Sequence, residues 1–334
     1  MPWLVHGFST RLAPHPPVRK QRSDRRDFHL GRAGDASRCR VEANRPLLLA
    51  ALGGRWTLAS LRQIHSAIIY QAVPSHGSLK ASGRREMALE YRPAGWPLPQ
   101  LAPRRVAEST FCGQFPGQLG GEDRDSPAGD ALVTAEPDIL LSVGAADCLP
   151  VLLADVRLRV VAAVHAGWRG ALARVIEKTV GEMRRIFGSR PENLVTALGP
   201  AIGRCCYEVG DEVVDSFRAQ FIQSDDFFYR PPRDPNANHT GSRYLLLFHT
   251  QASPGHRRER ASLHLDLVAV ARAQLRAAGL KASAIHNSGY CTACCADLFF
   301  SYRREGAQAR RMTAVIGMRP SSRPQLMNPG QPAF

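Results

Sequence analysis

The chain has almost no lysine: of its 44 basic residues only Lys20, Lys80, Lys178 and Lys281 are lysines, and the rest are arginine. It also has no run of about 18 apolar residues, so no segment has the length and character of a membrane-spanning helix. The opening Met1-Pro2-Trp3-Leu4-Val5-His6 lacks the basic start and long apolar centre of a secretion signal, which predicts a cytoplasmic location. Disorder throughout is excluded too, because 334 residues with 44% hydrophobic content can bury a large core. The net charge of +15 points toward nucleic acid. That excess, however, sits at 1–45, 227–260 and 300–334, and an arginine bias can arise from GC-rich coding alone. A basic nucleic-acid-binding module is therefore carried only as the rival from a non-enzyme class.

Eight cysteines (39, 112, 148, 205, 206, 291, 294 and 295) in a chain without a secretion signal argue for thiols or metal ligands rather than disulfides. Cys291-Thr292-Ala293-Cys294-Cys295 contains one Cys-x-x-Cys spacing, which a zinc ribbon needs twice. Cys205 and Cys206 are adjacent and cannot supply the second, so both groups read as buried thiols or walls of a site.

The chain is organised around Asp147-Cys148-Leu149-Pro150 and His165-Ala166-Gly167-Trp168-Arg169-Gly170, joined by the apolar run from Val151 to Val164. Short apolar, β-branched runs bounded by Gly, Pro and Asp suit strands buried on both faces. This places a Cys and a His at neighbouring strand ends, where they can share one metal ion or act as nucleophile and base. Ile139–Val143 reads as a further strand. An amphipathic helix is expected over 171–187; its Gly-rich approach and Arg169 suit an anion.

Elsewhere, a helix is expected over 41–52 with Arg45 inside it, and His65 falls at the mouth of a strand that begins near Ala67. Leu194–Leu198 reads as a strand. Val209, Val213, Val214, Phe217 and Phe221 mark a helix face, and Asp266 can cap a helix running to Gly279. Residues 74–128 and 227–260 hold no sustained period and are expected to be irregular insertions, and 321–334 a flexible tail, leaving 1–320 as one catalytic domain.

Six motifs carry a resemblance: Gln63-Ile64-His65-Ser66, Ala146–Pro150, His165–Gly170, Gly199-Pro200-Ala201-Ile202, Cys205 with Tyr207-Glu208-Val209, and Cys291-Thr292 with Phe300-Ser301-Tyr302-Arg303. In this order they resemble the laccase-domain, or polyphenol oxidase-like, family, now associated with purine nucleoside phosphorylase activity. The resemblance implies an α+β single domain of mixed sheets layered with helices. It also implies a metal held by His65, Cys148 and His165, zinc in preference to copper. The implied chemistry is phosphorolysis of adenosine, inosine, guanosine and methylthioadenosine, with phosphate as co-substrate, together with deamination of adenosine. Some members are instead described as peptidoglycan editing factors.

Three His/His/Cys ligands leave a fourth zinc position open, as in catalytic rather than structural sites. Phosphorolysis further needs a cationic cradle, for which Arg45, Arg169 and Arg303 are the candidates, with Asp147 as support or proton carrier. Two departures from the family pattern stand out: His29 where Asn is more usual, and Ala309-Arg310-Arg311 in place of Thr-Gly-Arg. A four-copper oxidase is excluded, since no two of the eleven histidines form a His-x-His pair. A Cys148/His165 hydrolase is the rival enzyme.

Overall fold

The computed structural model describes residues 1–13, 28–30, 38–75, 89–94, 126–231 and 263–320. Its strands are β1 (Leu4–Phe8), β2 (Thr57–Ala59), β3 (Ile69–Pro74), β4 (Leu89–Ala94), β5 (Ala131–Thr134), β6 (Ile139–Ala145) and β7 (Leu149–Asp155). They continue with β8 (Val160–Ala166), β9 (Leu194–Leu198), β10 (Glu208–Val209), β11 (Phe228–Tyr229), β12 (Leu263–Leu265), β13 (Ile285–Asn287) and β14 (Met312–Met318). The helices are α1 (Arg38–Leu52), α2 (Trp168–Leu172), α3 (Val175–Phe187), α4 (Asp211–Gln220), α5 (Leu267–Ala277) and α6 (Tyr302–Glu305).

Seven strands form a mixed sheet in the order β13-β9-β7-β8-β5-β3-β4, and four form a second in the order β1-β14-β6-β2. A small third sheet is β10-β12-β11. The hairpin β7–β8 is the centre of the large sheet, pairing Pro150 with His165 and Val151 with Val164. Its two faces go to different cores. Val151, Leu153, Ala162 and Val164 pack against Ile176, Met183 and Val270 of the helices, whereas Leu152, Ala154, Val161 and Ala163 face Leu141, Ala314 and Ile316 of the second sheet. That two-sided burial is why the sequence from 151 to 164 is apolar almost without alternation. Leu48, Leu49 and Leu52 of α1 cover the far side of the second sheet at Leu58, Leu140 and Val315. The result is an α+β fold of helix, sheet, sheet and helix, closed by the antiparallel pairing of β1 with β14.

Four expectations need correction. The helix expected over 171–187 is two: α2 ends at Leu172, and Arg174, with φ of 60°, turns the chain before α3. The five-residue α2 is too short to act as an anion-binding helix end. Val209 lies in β10, ahead of α4 rather than on its face. Part of 74–128 is regular, because β4 pairs with all six residues of β3 and forms the edge of the large sheet. Likewise β11 lies within 227–260. The remainder of both segments, and the 321–334 tail, lie outside the described residues.

Other expectations match. Ile139–Ala145 and Leu194–Leu198 are strands, and Asp266 caps α5, its Oδ1 accepting from the Ala269 N–H at 2.9 Å. In β4, Tyr91 is buried and its hydroxyl accepts from the Ser60 N–H at 3.3 Å. Tyr91→Ala should lower unfolding free energy by about 3–4 kcal/mol and Tyr91→Phe by about 1 kcal/mol, measured by urea denaturation. A loss below about 1 kcal/mol for Tyr91→Ala would show that β4 is peripheral.

Candidate metal centre and its cleft

His65, Cys148 and His165 reach one point from three places. His165 is the penultimate residue of β8, and Cys148 immediately precedes β7, its antiparallel neighbour. His65 comes from the loop ahead of β3, held on β6 by Gln63. The Gln63 amide donates to the Gly144 carbonyl at 2.8 Å and accepts from the Gly144 N–H at 2.7 Å, so a side chain imitates a strand partner.

Asp130, just before β5, organises the centre. Its Oδ1 accepts from His165 Nδ1 at 2.9 Å and from the His65 N–H at 3.0 Å. Its Oδ2 accepts from the Ser66 N–H at 2.5 Å, the Ser66 hydroxyl at 2.6 Å and the Ile64 N–H at 3.4 Å. These bonds hold His65 at φ of 60°, a left-handed conformation rare for non-glycine residues. By taking the Nδ1 side of His165, Asp130 leaves Nε2 for the centre. Asp130 was absent from the sequence-derived set. Its signal was available: like His65 and Cys148, it is a polar residue at the mouth of an apolar strand.

The ligand atoms of His65, Cys148 and His165 lie within 4.8 Å of one another, and Cys148 Sγ is 3.7 Å from His65 Nε2. A tetrahedral zinc with N and S ligands at about 2.0–2.3 Å would set such atoms roughly 3.5 Å apart, so the residues fit that ion. Gly167 is required beside them: a Cβ there would stand 2.7 Å from the His65 ring and 3.0 Å from Cys148 Sγ.

The charges of these groups depend on one another. Burial alone would push the Cys148 thiol up, but the His165 charge and hydrogen bonds from His165 and His65 bring it down to about 6. Burial would push His165 down, yet the Cys148 charge and the Asp130 hydrogen bond raise it to about 9. Burial opposes the Asp130 charge as well, and hydrogen bonds from His165 and Ser66 overcome it, holding the carboxyl below its usual range.

A cleft of about 830 Å³ opens over this centre. Asp147, Arg169 and Arg303 line it, as do Trp168, Tyr207 and Tyr302. Arg45 does not; it is buried in α1. Arg311, which the sequence reading left out of the cradle, is in the wall instead. Asp147, at φ of 90°, accepts from the Thr292 hydroxyl at 2.6 Å, the Ser301 hydroxyl at 3.0 Å and the Arg303 N–H at 2.6 Å. Both its oxygens are thus engaged in fixing the loops beside Cys148. Arg169 stacks on Trp168 at 4.3 Å, and Arg303 donates to the Glu208 carbonyl at 2.7 Å. Burial and the Cys148 charge push the Tyr207 phenol up, so its hydroxyl remains a donor at neutral pH.

Two imidazoles and a thiol thus converge beside a cleft lined by arginines, in an α+β chain, as a group that could hold a metal ion. Residues 6–319 match the model of the family described as multi-copper polyphenol oxidoreductase laccase, and the chain belongs to that family. It is 38% identical over 190 residues to a purine nucleoside phosphorylase of Deinococcus radiodurans, a match covering 57% of this chain and 61% of that one. It is 36% identical over 182 residues to "Adenosine deaminase RL5" of an unknown prokaryotic organism, covering 54% and 59%. With these two the shared stretch is thus about three-fifths of the relative's length. A purine nucleoside phosphorylase of Xylella fastidiosa strain Temecula1 matches more broadly, at 32% identity over 86% of this chain and 82% of that one. Among solved structures, YlmD from Geobacillus stearothermophilus superposes with a TM-score of 0.62 at 27% identity, covering 95% of this chain and 92% of its own.

In the metal-free protein Cys148 is a thiolate above about pH 6 and a thiol below it. Its alkylation by iodoacetamide should therefore accelerate as pH rises through about 6, rather than near the usual 9, and His165→Ala should move that midpoint up. A wild-type midpoint near 9 would show that the thiolate–imidazolium pair does not form.

Proposed function

We propose that this chain is a zinc-dependent purine nucleoside enzyme that phosphorolyses adenosine, inosine, guanosine and methylthioadenosine and deaminates adenosine. The observation that carries the reading is the cleft itself: one cavity joins the His65/Cys148/His165 centre to arginines and to three aromatic side chains. When bound, zinc would supply Lewis acidity and make a water acidic enough to ionise near neutrality. Trp168, Tyr207 and Tyr302 offer faces and edges to a purine ring. Arg169 and Arg303 are the proposed phosphate ligands, because a guanidinium offers two parallel donors to phosphate oxygens, and Arg311, over the Tyr302 ring in the same wall, joins them. Asp147 acts by holding Arg303 and the strand end that carries Cys148, and the Tyr207 hydroxyl supplies a donor to the substrate. The relatives named for phosphorolysis and for deamination support the same pairing of activities.

A second reading has its own observation. Asp130, His165 and Cys148 are linked in the order of a carboxylate, base and nucleophile, the arrangement of a cysteine hydrolase such as one acting in peptidoglycan editing. The convergence of His65 on the same thiolate favours the metal, because a nucleophile needs only one base.

Product analysis separates these. Zinc-loaded protein should convert adenosine to inosine without phosphate, and release free base and ribose 1-phosphate only with it. His165→Ala should abolish both activities through metal loss. Arg169→Ala or Arg303→Ala should spare deamination and cost phosphorolysis about 2–4 kcal/mol in transition-state stabilisation. Absence of nucleoside turnover in both conditions by the zinc-loaded protein would reject the reading. Thiol-directed inactivation without metal loss would favour the hydrolase.

A further inference from the structure

The sequence reads the groups holding Cys205, Cys206, Cys291 and Cys294 as buried thiols or walls of a site, yet Cys205 and Cys294 are exposed. The fold brings them together, with all four sulfurs within 4.8 Å of one another. Cys294 Sγ lies 3.5 Å from Cys205 Sγ and 3.4 Å from Cys206 Sγ. We propose that these residues form a second metal site, a four-thiolate centre for Zn²⁺, which pins the turn after β9 to the loop before α6.

Three observations carry it. First, a tetrahedral zinc with S ligands at about 2.3 Å spaces its sulfurs about 3.8 Å apart, which is the scale found here. A disulfide, by contrast, joins only two sulfurs at about 2.05 Å, and here Cys294 is shared almost equally between two neighbours. Second, the backbone is arranged around the sulfurs. Ala201 bridges to Cys291, the Thr292 N–H donates to the Ala201 carbonyl at 2.9 Å, and the Gly203 N–H donates to Cys291 Sγ at 3.2 Å. A Cβ on Gly203 would stand 3.2 Å from both Cys205 Sγ and Cys291 Cβ, so the glycine gives the cluster its room. Third, the segments that meet here, 199–207 and 288–300, contain little regular secondary structure, the circumstance in which a small cation replaces a packed core as the cross-link. Cys205 and Cys294 are exposed, which gives the ion an entry path.

The site has a task within the fold. Thr292, next to Cys291, donates to Asp147, the neighbour of Cys148. A zinc at the cysteines would therefore fix the loop that braces the first centre without touching the cleft.

Metal content measured by mass spectrometry on the full chain tests this, with zinc and with cobalt as a spectroscopic substitute. Wild type should hold two ions per chain. Cys148→Ala should keep one, and with Co²⁺ should retain the intense near-ultraviolet thiolate charge-transfer band of a four-sulfur site. The double variant Cys205→Ser/Cys294→Ser should lose that band and one ion. If the double variant fails to fold, Cys148→Ala alone decides. An ion count of zero in Cys148→Ala, or one ion without the four-thiolate band, overturns the proposal, as does a disulfide between any two of the four in freshly purified wild type. None of these readouts depends on nucleoside turnover, so failure of the proposed activity would leave this result standing.

Discussion

One buried carboxylate holds the centre together. Asp130 is fully buried, and an unpaired charge there would be costly; five donors from four residues offset the loss of water. Because those donors belong to the 64–66 loop and to β8, the same bonds that satisfy Asp130 also bring two histidines to one place. The left-handed His65 follows, since three successive N–H groups can turn toward a single carboxylate only if the chain curls tightly there. Removing the charge would leave the donors buried without an acceptor and release both rings.

Asp147 plays the matching part on the other side of Cys148. It gathers Thr292, Ser301 and the start of α6, so loops widely separated in sequence close around the strand end. Each carboxylate is satisfied mainly by neutral donors, and hydrogen bonds from His165 and Ser66 hold the Asp130 carboxyl below its usual range. Asp130 and Cys148 thus set two anionic groups about His165, a setting that suits a cation. The arginines of the wall reverse the sign a few residues away, so one cleft can take a metal ion below and an anion beside it.

Much of this was legible in the sequence, and the reason is physical. The β7–β8 hairpin, β6, β9 and the Asp266 cap are set by local apolar runs and by a side chain bonding three residues ahead, both short-range effects. Cys148 and His165 stood out as polar residues at the ends of one apolar run, whereas His65 joined them as a ligand only through the family resemblance. What was missed depends on distance along the chain. The role of Asp130 appears only when β5 lies beside β8, and the cysteine cluster only when Ala201 meets Cys291. The break at Arg174 was missed because the apolar spacing from Leu172 to Val175 continues across it, while a single left-handed residue leaves no mark on periodicity. β4 was missed because an edge strand buries one partner only, and Tyr91 is its single deeply buried side chain.

The oxidase name of the family describes a four-copper chemistry that the described residues do not assemble. A trinuclear copper cluster requires paired histidines, whereas the described residues hold two candidate metal groups, one with two imidazoles and one thiolate, the other with four thiolates. The two differ in what they leave open. Around a zinc ion, two imidazoles and a thiolate would complete three positions of a tetrahedron and leave the fourth to substrate or water. Four thiolates complete the tetrahedron and leave nothing. The two proposals thus set reactivity and bracing apart: the His65, Cys148 and His165 group sits where the large sheet ends, and the four cysteines sit among loops of little regular secondary structure.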